Sequence, residues 1–150
     1  MWIKGVRVEN VGPHRKIDLT LTLGSVGVFG ANGSGKSTLI DLVYSALTND
    51  FGRFACAKAD LVNLTAEPKA PAYVEVDAEH DGTAFTVRRA LRGKNAHLLT
   101  FHDGRAENNH TDARVIADEL ARLGIDKRLL DFAVFKPQNK VYEFIDALPS

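Results

Sequence analysis

Residues 30–38 read GANGSGKST. Gly30, Gly35, Lys36 and Ser37 satisfy the spacing G-x-x-x-x-G-K-[ST], the pattern of a phosphate-cradling loop. Glycines reach backbone conformations that side chains forbid, so successive N–H groups converge on one concavity that suits an anion. A helix that opens near Lys36 aims the positive end of its dipole at the same spot. Lys36 is then a mobile point charge for the outer phosphates, and the Ser37 hydroxyl a ligand for Mg²⁺. Asn32, Gly33, Ser34 and Thr38 complete the expected contacts to the nucleotide.

The flanks supply the context such a loop requires. Before it, SVGVF (25–29) is short, β-branched and uncharged, and is expected to be a fully buried strand. After it, Leu39, Ile40, Val43, Tyr44 and Leu47 recur at helical spacing. Nearer the N-terminus, WIKGVRVENV alternates imperfectly and KIDLTLTL cleanly, which predicts two strands joined by a turn at VGPH. AYVEVDAEHDG and AFTVRRAL form a hairpin pattern, and AHLLTF adds a third strand. Residues 111–123 are helical in pattern, with Thr111 as N-cap and Gly124 as the stop. A short element in KRLLDFAVF leads to a turn at Pro137–Gln138.

Composition sets the outer limits. The chain has 150 residues, enough for one domain, with 19 basic and 19 acidic side chains and no net charge. A polybasic nucleic-acid tail is excluded, although a local basic patch is not. Cys56 is the lone cysteine, so no internal disulfide forms, and the Cys/His spacings match no zinc motif. No run approaches the ~18 apolar residues of a membrane span, and MWIKGVRVEN has no signal-peptide core. A reducing, cytoplasmic setting fits.

The loop by itself specifies a nucleotide, not a family. Taken together, VENVGPHRKIDLTLTLGSVGVFG, ANGSGKSTLIDLVYSAL, YVEVDAEHDGTAFTVRRAL and FAVFKPQNKVYEFIDALPS resemble the N-terminal ATPase half of the SMC-like DNA-repair proteins, closest to SbcC and its counterparts. The resemblance implies an α/β P-loop lobe of ABC type: a mixed sheet around the loop helix, an antiparallel β subdomain and a helical segment. It implies that residues 1–150 are the N-terminal lobe of a split head, without the coiled coil and the C-terminal lobe. It implies an ATPase that dimerises through ATP with Mg²⁺, regulates a nuclease subunit of the SbcD type and acts on double-stranded DNA. The location would be cytoplasmic and nucleoid-associated, or nuclear in a eukaryote.

The same resemblance assigns residues. Gln138 would touch Mg²⁺ and the water near the γ-phosphate, although Asn139 stands where the family often has glycine. Relatives carry a basic residue in the first turn; Gly12 occupies the aligned position here, which passes that role to Arg15 or removes it. Val62 and Asn63 fall where a loop packs on the base or ribose. The catalytic acids belong to the other lobe. The one Asp-Glu candidate here, Asp118–Glu119 in RVIADEL, sits in a helical pattern that leaves both acids solvated.

Alternatives stay open. The head could be of the RecF, RecN or SMC type. A transporter ATPase would place its glutamine turn much nearer the loop than Gln138 stands to Lys36. A regulatory module with a relic loop is a third reading. Arg88, Arg89, Arg92 and Lys94 cluster in RRALRGK and are read as a solvated strand end, with contact to DNA phosphates as the alternative.

Overall fold

The computed structural model of the chain describes residues 1–92, 97–102 and 109–131. Gln138, Asn139 and Lys94 lie outside the described residues. Six strands form one sheet in the order β2-β1-β3-β4-β5-β6: β1 (Trp2–Val11), β2 (His14–Thr20), β3 (Ala72–His80), β4 (Thr83–Arg92), β5 (His97–Phe101) and β6 (Asn109–His110). Helix α1 (Lys36–Thr48) follows the glycine-rich loop, and α2 (Ala113–Arg122) and the single turn α3 (Lys127–Leu129) follow the sheet.

Period-two alternation gives the sheet two unlike faces. The inner face aligns Val6 with Val76, Val87 and Leu99 across four strands, and all four are buried. Leu42, Val43, Tyr44, Ala46 and Leu47 of α1 and Ile116 and Leu120 of α2 complete the core. The outer face carries a row of alternating charge: Asp18, Arg7, Glu75 and Arg88 lie in register on β2, β1, β3 and β4. Arg7 donates to Glu75 and Asp77, and Arg88 donates to Glu75 at 2.5 Å. Such opposite-charge cross-strand pairs stabilise a sheet.

Turn chemistry closes the hairpins. Asp81 (φ 48°) and Gly82 (φ 78°) both take positive φ between β3 and β4, as a two-residue hairpin loop demands. Gly124 (φ 79°) stops α2 as expected, but the N-cap is Asp112, not Thr111: the Asp112 carboxylate accepts from the backbone N–H of Arg114 and of Val115.

One expected element is absent. Residues 25–29 are not a strand, and Val26, Val28 and Phe29 are exposed, Phe29 by 93%. Every pairing among the described residues is antiparallel, and none of these strands lies beside 25–29. A fully buried strand is made by neighbours on both sides, so its own apolar sequence does not suffice.

Candidate functional site

The glycine-rich loop leads directly into α1, and its backbone shows why the glycines are there. Gly35 is the N-cap, in the left-handed region at φ 87°, and Gly33 also takes positive φ at 78°. The first helical hydrogen bond runs from Leu39 N to Gly35 O at 2.9 Å. No side chain caps the preceding N–H groups, and the first turn holds no acid. The helix therefore offers unpaired donors and its positive dipole end to an anion, with no carboxylate competing for them.

Lys36 folds back over the loop. Its Nζ donates to the Gly30 carbonyl (2.9 Å) and the Ala31 carbonyl (2.7 Å). These are exposed bonds to neutral oxygens, weaker than bonds between an ammonium and a phosphate. Asn32, Gly33, Ser34 and Ser37 are exposed, and Thr38 is half-buried beside Gly12, where an added Cβ would come within 3.2 Å of Thr38 Cγ2.

Two further segments converge on this loop. In the β1–β2 turn, His14 Nε2 stands 3.2 Å from the Gly35 carbonyl, within hydrogen-bonding distance. A Cβ at Gly35 would lie 2.6 Å from the His14 ring and 2.7 Å from Pro13 Cγ, so the turn fits only a glycine. The short 3₁₀ turn Lys58–Leu61 leads into the second segment. Val62 bridges Val11, Gly12 N donates to Leu61 O (2.6 Å), and Asn63 Nδ2 donates to Gly12 O (2.8 Å).

The structure thus brings Val62 and Asn63 to the turn beside the loop. It also commits the Asn63 side chain, whose Oδ1 accepts from Thr65 N and Oγ1. Arg15 is exposed and donates through Nε to Thr65 Oγ1 (3.0 Å); its recorded hydrogen bonds go to Thr65, not to the loop. Sequence reasoning placed Pro13 and His14 in the VGPH turn without this contact, and missed Thr65. Their contacts with Gly35 and Arg15 span 21 to 50 positions along the chain, and local patterns do not report those.

The described arginines of the basic run form neither a solvated strand end nor a free patch. Arg88 is engaged with Glu75 and stacks over the Tyr73 ring at 4.6 Å. Arg89 is wholly buried. Arg92 donates to the Ala70 and Glu67 carbonyls. On α2, Asp118 is exposed and Glu119 pairs with Arg122 at 2.5 Å, as the helical pattern predicts.

A second polar cluster ties the start of α3 to α1. Asp131 accepts from Arg53 (3.1 Å) and Lys127 (2.9 Å), and Arg53 stacks over the Tyr44 ring at 3.7 Å. Burial works to raise the Asp131 pKa, but hydrogen bonds from Lys127, Tyr44 and Arg53 outweigh it and hold the carboxyl down at about 2.

The sequence that builds this loop and sheet has relatives among known proteins. The model of the AAA domain family matches residues 6–148. The chain belongs to the AAA domain family. Among curated members of similar sequence, the DNA double-strand break repair Rad50 ATPase of Methanosarcina mazei is 28% identical over 161 residues, covering 99% of this chain and 14% of that protein. The protein of the same name from Methanocaldococcus jannaschii is 25% identical over 151 residues, 100% of this chain and 14% of that protein. The one from Methanosarcina acetivorans is 32% identical over 96 residues, 61% of this chain and 8% of that protein. The resemblance to SMC-like repair ATPases is borne out, as is an α/β lobe for this AAA domain. The chain spans about 14% of the length of the first two relatives. Among the described residues no helix is long and apolar enough to cross a membrane.

Proposed function

We propose that this chain is the nucleotide-binding lobe of an ATPase head that acts in DNA double-strand-break repair. The observation that carries the reading is the uncapped N-terminus of α1 behind a loop whose lysine is held only by exposed carbonyls. ATP suits those groups. The N–H groups at the start of α1 would take the β- and γ-phosphates, and Lys36 would exchange two neutral carbonyls for phosphate oxygens. Asn32, Gly33, Ser34, Gly35 and Thr38 would line the phosphate path, with Val62, Asn63 and Arg15 toward the ribose and base; Asn63 would act by packing and by holding the segment in place, since its side chain and its backbone N–H are both committed. Mg²⁺ keeps several waters and takes few protein oxygens when phosphates are present, so the exposed Ser37 hydroxyl fits that need, with Gln138 as the second ligand.

Hydrolysis would require a further lobe that carries the catalytic acids, since Asp118 and Glu119 stand on α2 in surface positions. The exposed Val26, Val28 and Phe29 beside the loop support such docking, because added strands would bury them. On this reading residues 1–150 are the N-terminal lobe. The coiled coil and C-terminal lobe, ATP-driven homodimerisation, an SbcD-type nuclease subunit and double-stranded DNA belong to the whole machine, in the cytoplasm or the nucleus. Turnover tests the division of labour. The chain alone should bind ATP but hydrolyse it negligibly, and a C-terminal lobe added in trans should restore hydrolysis. Sustained Lys36-dependent turnover by the chain alone would refute the two-lobe reading.

A further inference from the structure

The inner face of β4 carries Phe85, Val87, Arg89 and Leu91 in alternation, so a cation stands within an apolar row. Arg89 is wholly buried. Its Nε donates to the Ala46 carbonyl (3.0 Å) in the last turn of α1, a turn with no basic residue of its own. Both Nη atoms are buried and have no hydrogen-bond partner among the described residues. The register places His97 of β5 directly opposite Arg89 on the same face, and His97 Nδ1 is likewise buried and unpartnered. Lys58 is half-buried on the turn packed against β4, with its Nζ 4.8 Å over the Phe51 ring; the Arg89 charge acts on it, and its own charge acts on His97.

Among the described residues no acid offsets this charge at Arg89. Burial lowers the Arg89 pKa, to about 10. Burial first, then Arg89, also lowers those of Lys58 and His97, and Asp112 is the one acid among the described residues felt at His97. A buried guanidinium with two open N–H edges is costly, and orphaned buried donors mark a place for water or an ion. Water would satisfy the hydrogen bonds and leave the charge. An anion does both.

We propose that Arg89, His97 and Lys58 form a site for a small halide-class anion. With few open donors, the Arg89 Nη atoms and His97 Nδ1 among them, a monatomic ion suits the place better than a tetrahedral oxyanion, which needs more room and more donors. The site is distinct from the phosphate-binding loop: Arg89 meets Ala46 near the C-terminal end of α1, about 15 Å along the helix from Lys36. Bound there, the anion would fasten β4, β5 and the Lys58 turn against the end of that helix.

The test is thermal unfolding of the nucleotide-free protein at constant ionic strength, with sodium chloride or bromide replacing sodium gluconate. Wild type and Lys36→Ala should both show a rise of about 3–6 °C, logarithmic in halide, as its concentration goes from about 1 to about 100 mM. Arg89→Met, which keeps the bulk without the charge, should lose that rise. A wild-type midpoint indifferent to halide would overturn the proposal, as would Arg89→Met retaining the same rise. Should Arg89→Met not fold, bromide-soaked wild-type crystals decide: an anomalous peak within hydrogen-bonding reach of the Arg89 Nη atoms supports the site, and its absence there overturns it.

Discussion

Replacing Gly35 by alanine places a methyl group where the β1–β2 turn already stands. The residue sits at φ 87°, and the new Cβ would lie 2.6 Å from His14 Cε1 and Nε2 and 2.7 Å from Pro13 Cγ. Left-handed backbone costs an L-residue ~1–2 kcal/mol, and overpacking against a fixed neighbour adds ~1–3 kcal/mol. Gly33 separates the two effects: its φ is 78°, but nothing lies within 4 Å of an added Cβ. Gly33→Ala should therefore lose only the backbone share, about 1–2 kcal/mol. Gly35→Ala should lose about 2–4 kcal/mol, or roughly 6–12 °C in midpoint for a chain of this size. The assay is thermal and urea unfolding of both variants, with a double-mutant cycle to His14→Ala. Removing the ring should return at least about 1 kcal/mol to Gly35→Ala. Equal losses at the two glycines, or no coupling to His14, would refute the claim that the turn braces the loop.

Other perturbations test the frame around the site. Glu75→Ala leaves Arg7 and Arg88 without their shared carboxylate; the expected loss in urea unfolding is about 2–3 kcal/mol, below the ~3–5 kcal/mol of a fully buried pair because both arginines reach solvent. The Asp131 carboxyl, held near a pKa of about 2, adds stability that is present above the ordinary carboxylate range and lost as pH falls through about 2. Asp131→Asn should cost about 1 kcal/mol at neutral pH, after allowance for exposure, and the gap to wild type should narrow between about pH 4 and pH 2. Val28→Thr with Phe29→Ser should shift unfolding by less than ~0.5 kcal/mol, since both residues are exposed; a larger loss would return 25–29 to the core of this lobe.

What the sequence made legible was local. The glycine spacing located the loop and the start of α1, Asp81–Gly82 marked the hairpin, and the helical pattern of RVIADEL put Asp118 and Glu119 on the surface. The failures were non-local. The residues of 25–29 suit a buried strand, but only neighbouring strands could bury them. The charges of RRALRGK suggested solvent, yet the alternation Phe85, Val87, Arg89 already pointed the third residue inward. Asn63 looked free to meet a nucleotide until its partners Gly12 and Thr65 were in place. Its neighbour Thr65 and the bracing His14 act through contacts formed only when the chain closes on itself.

The most direct measurement is equilibrium titration of ATP into the protein with and without Mg²⁺, wild type beside Lys36→Ala. Hydrogen bonds to charged groups contribute ~1.5–3 kcal/mol, so loss of the Lys36 ammonium should weaken Mg²⁺-dependent binding by about 10- to 100-fold. Equal affinity in the two proteins, or no binding by wild type with Mg²⁺ present, would contradict the assignment of residues 30–38 as a nucleotide site.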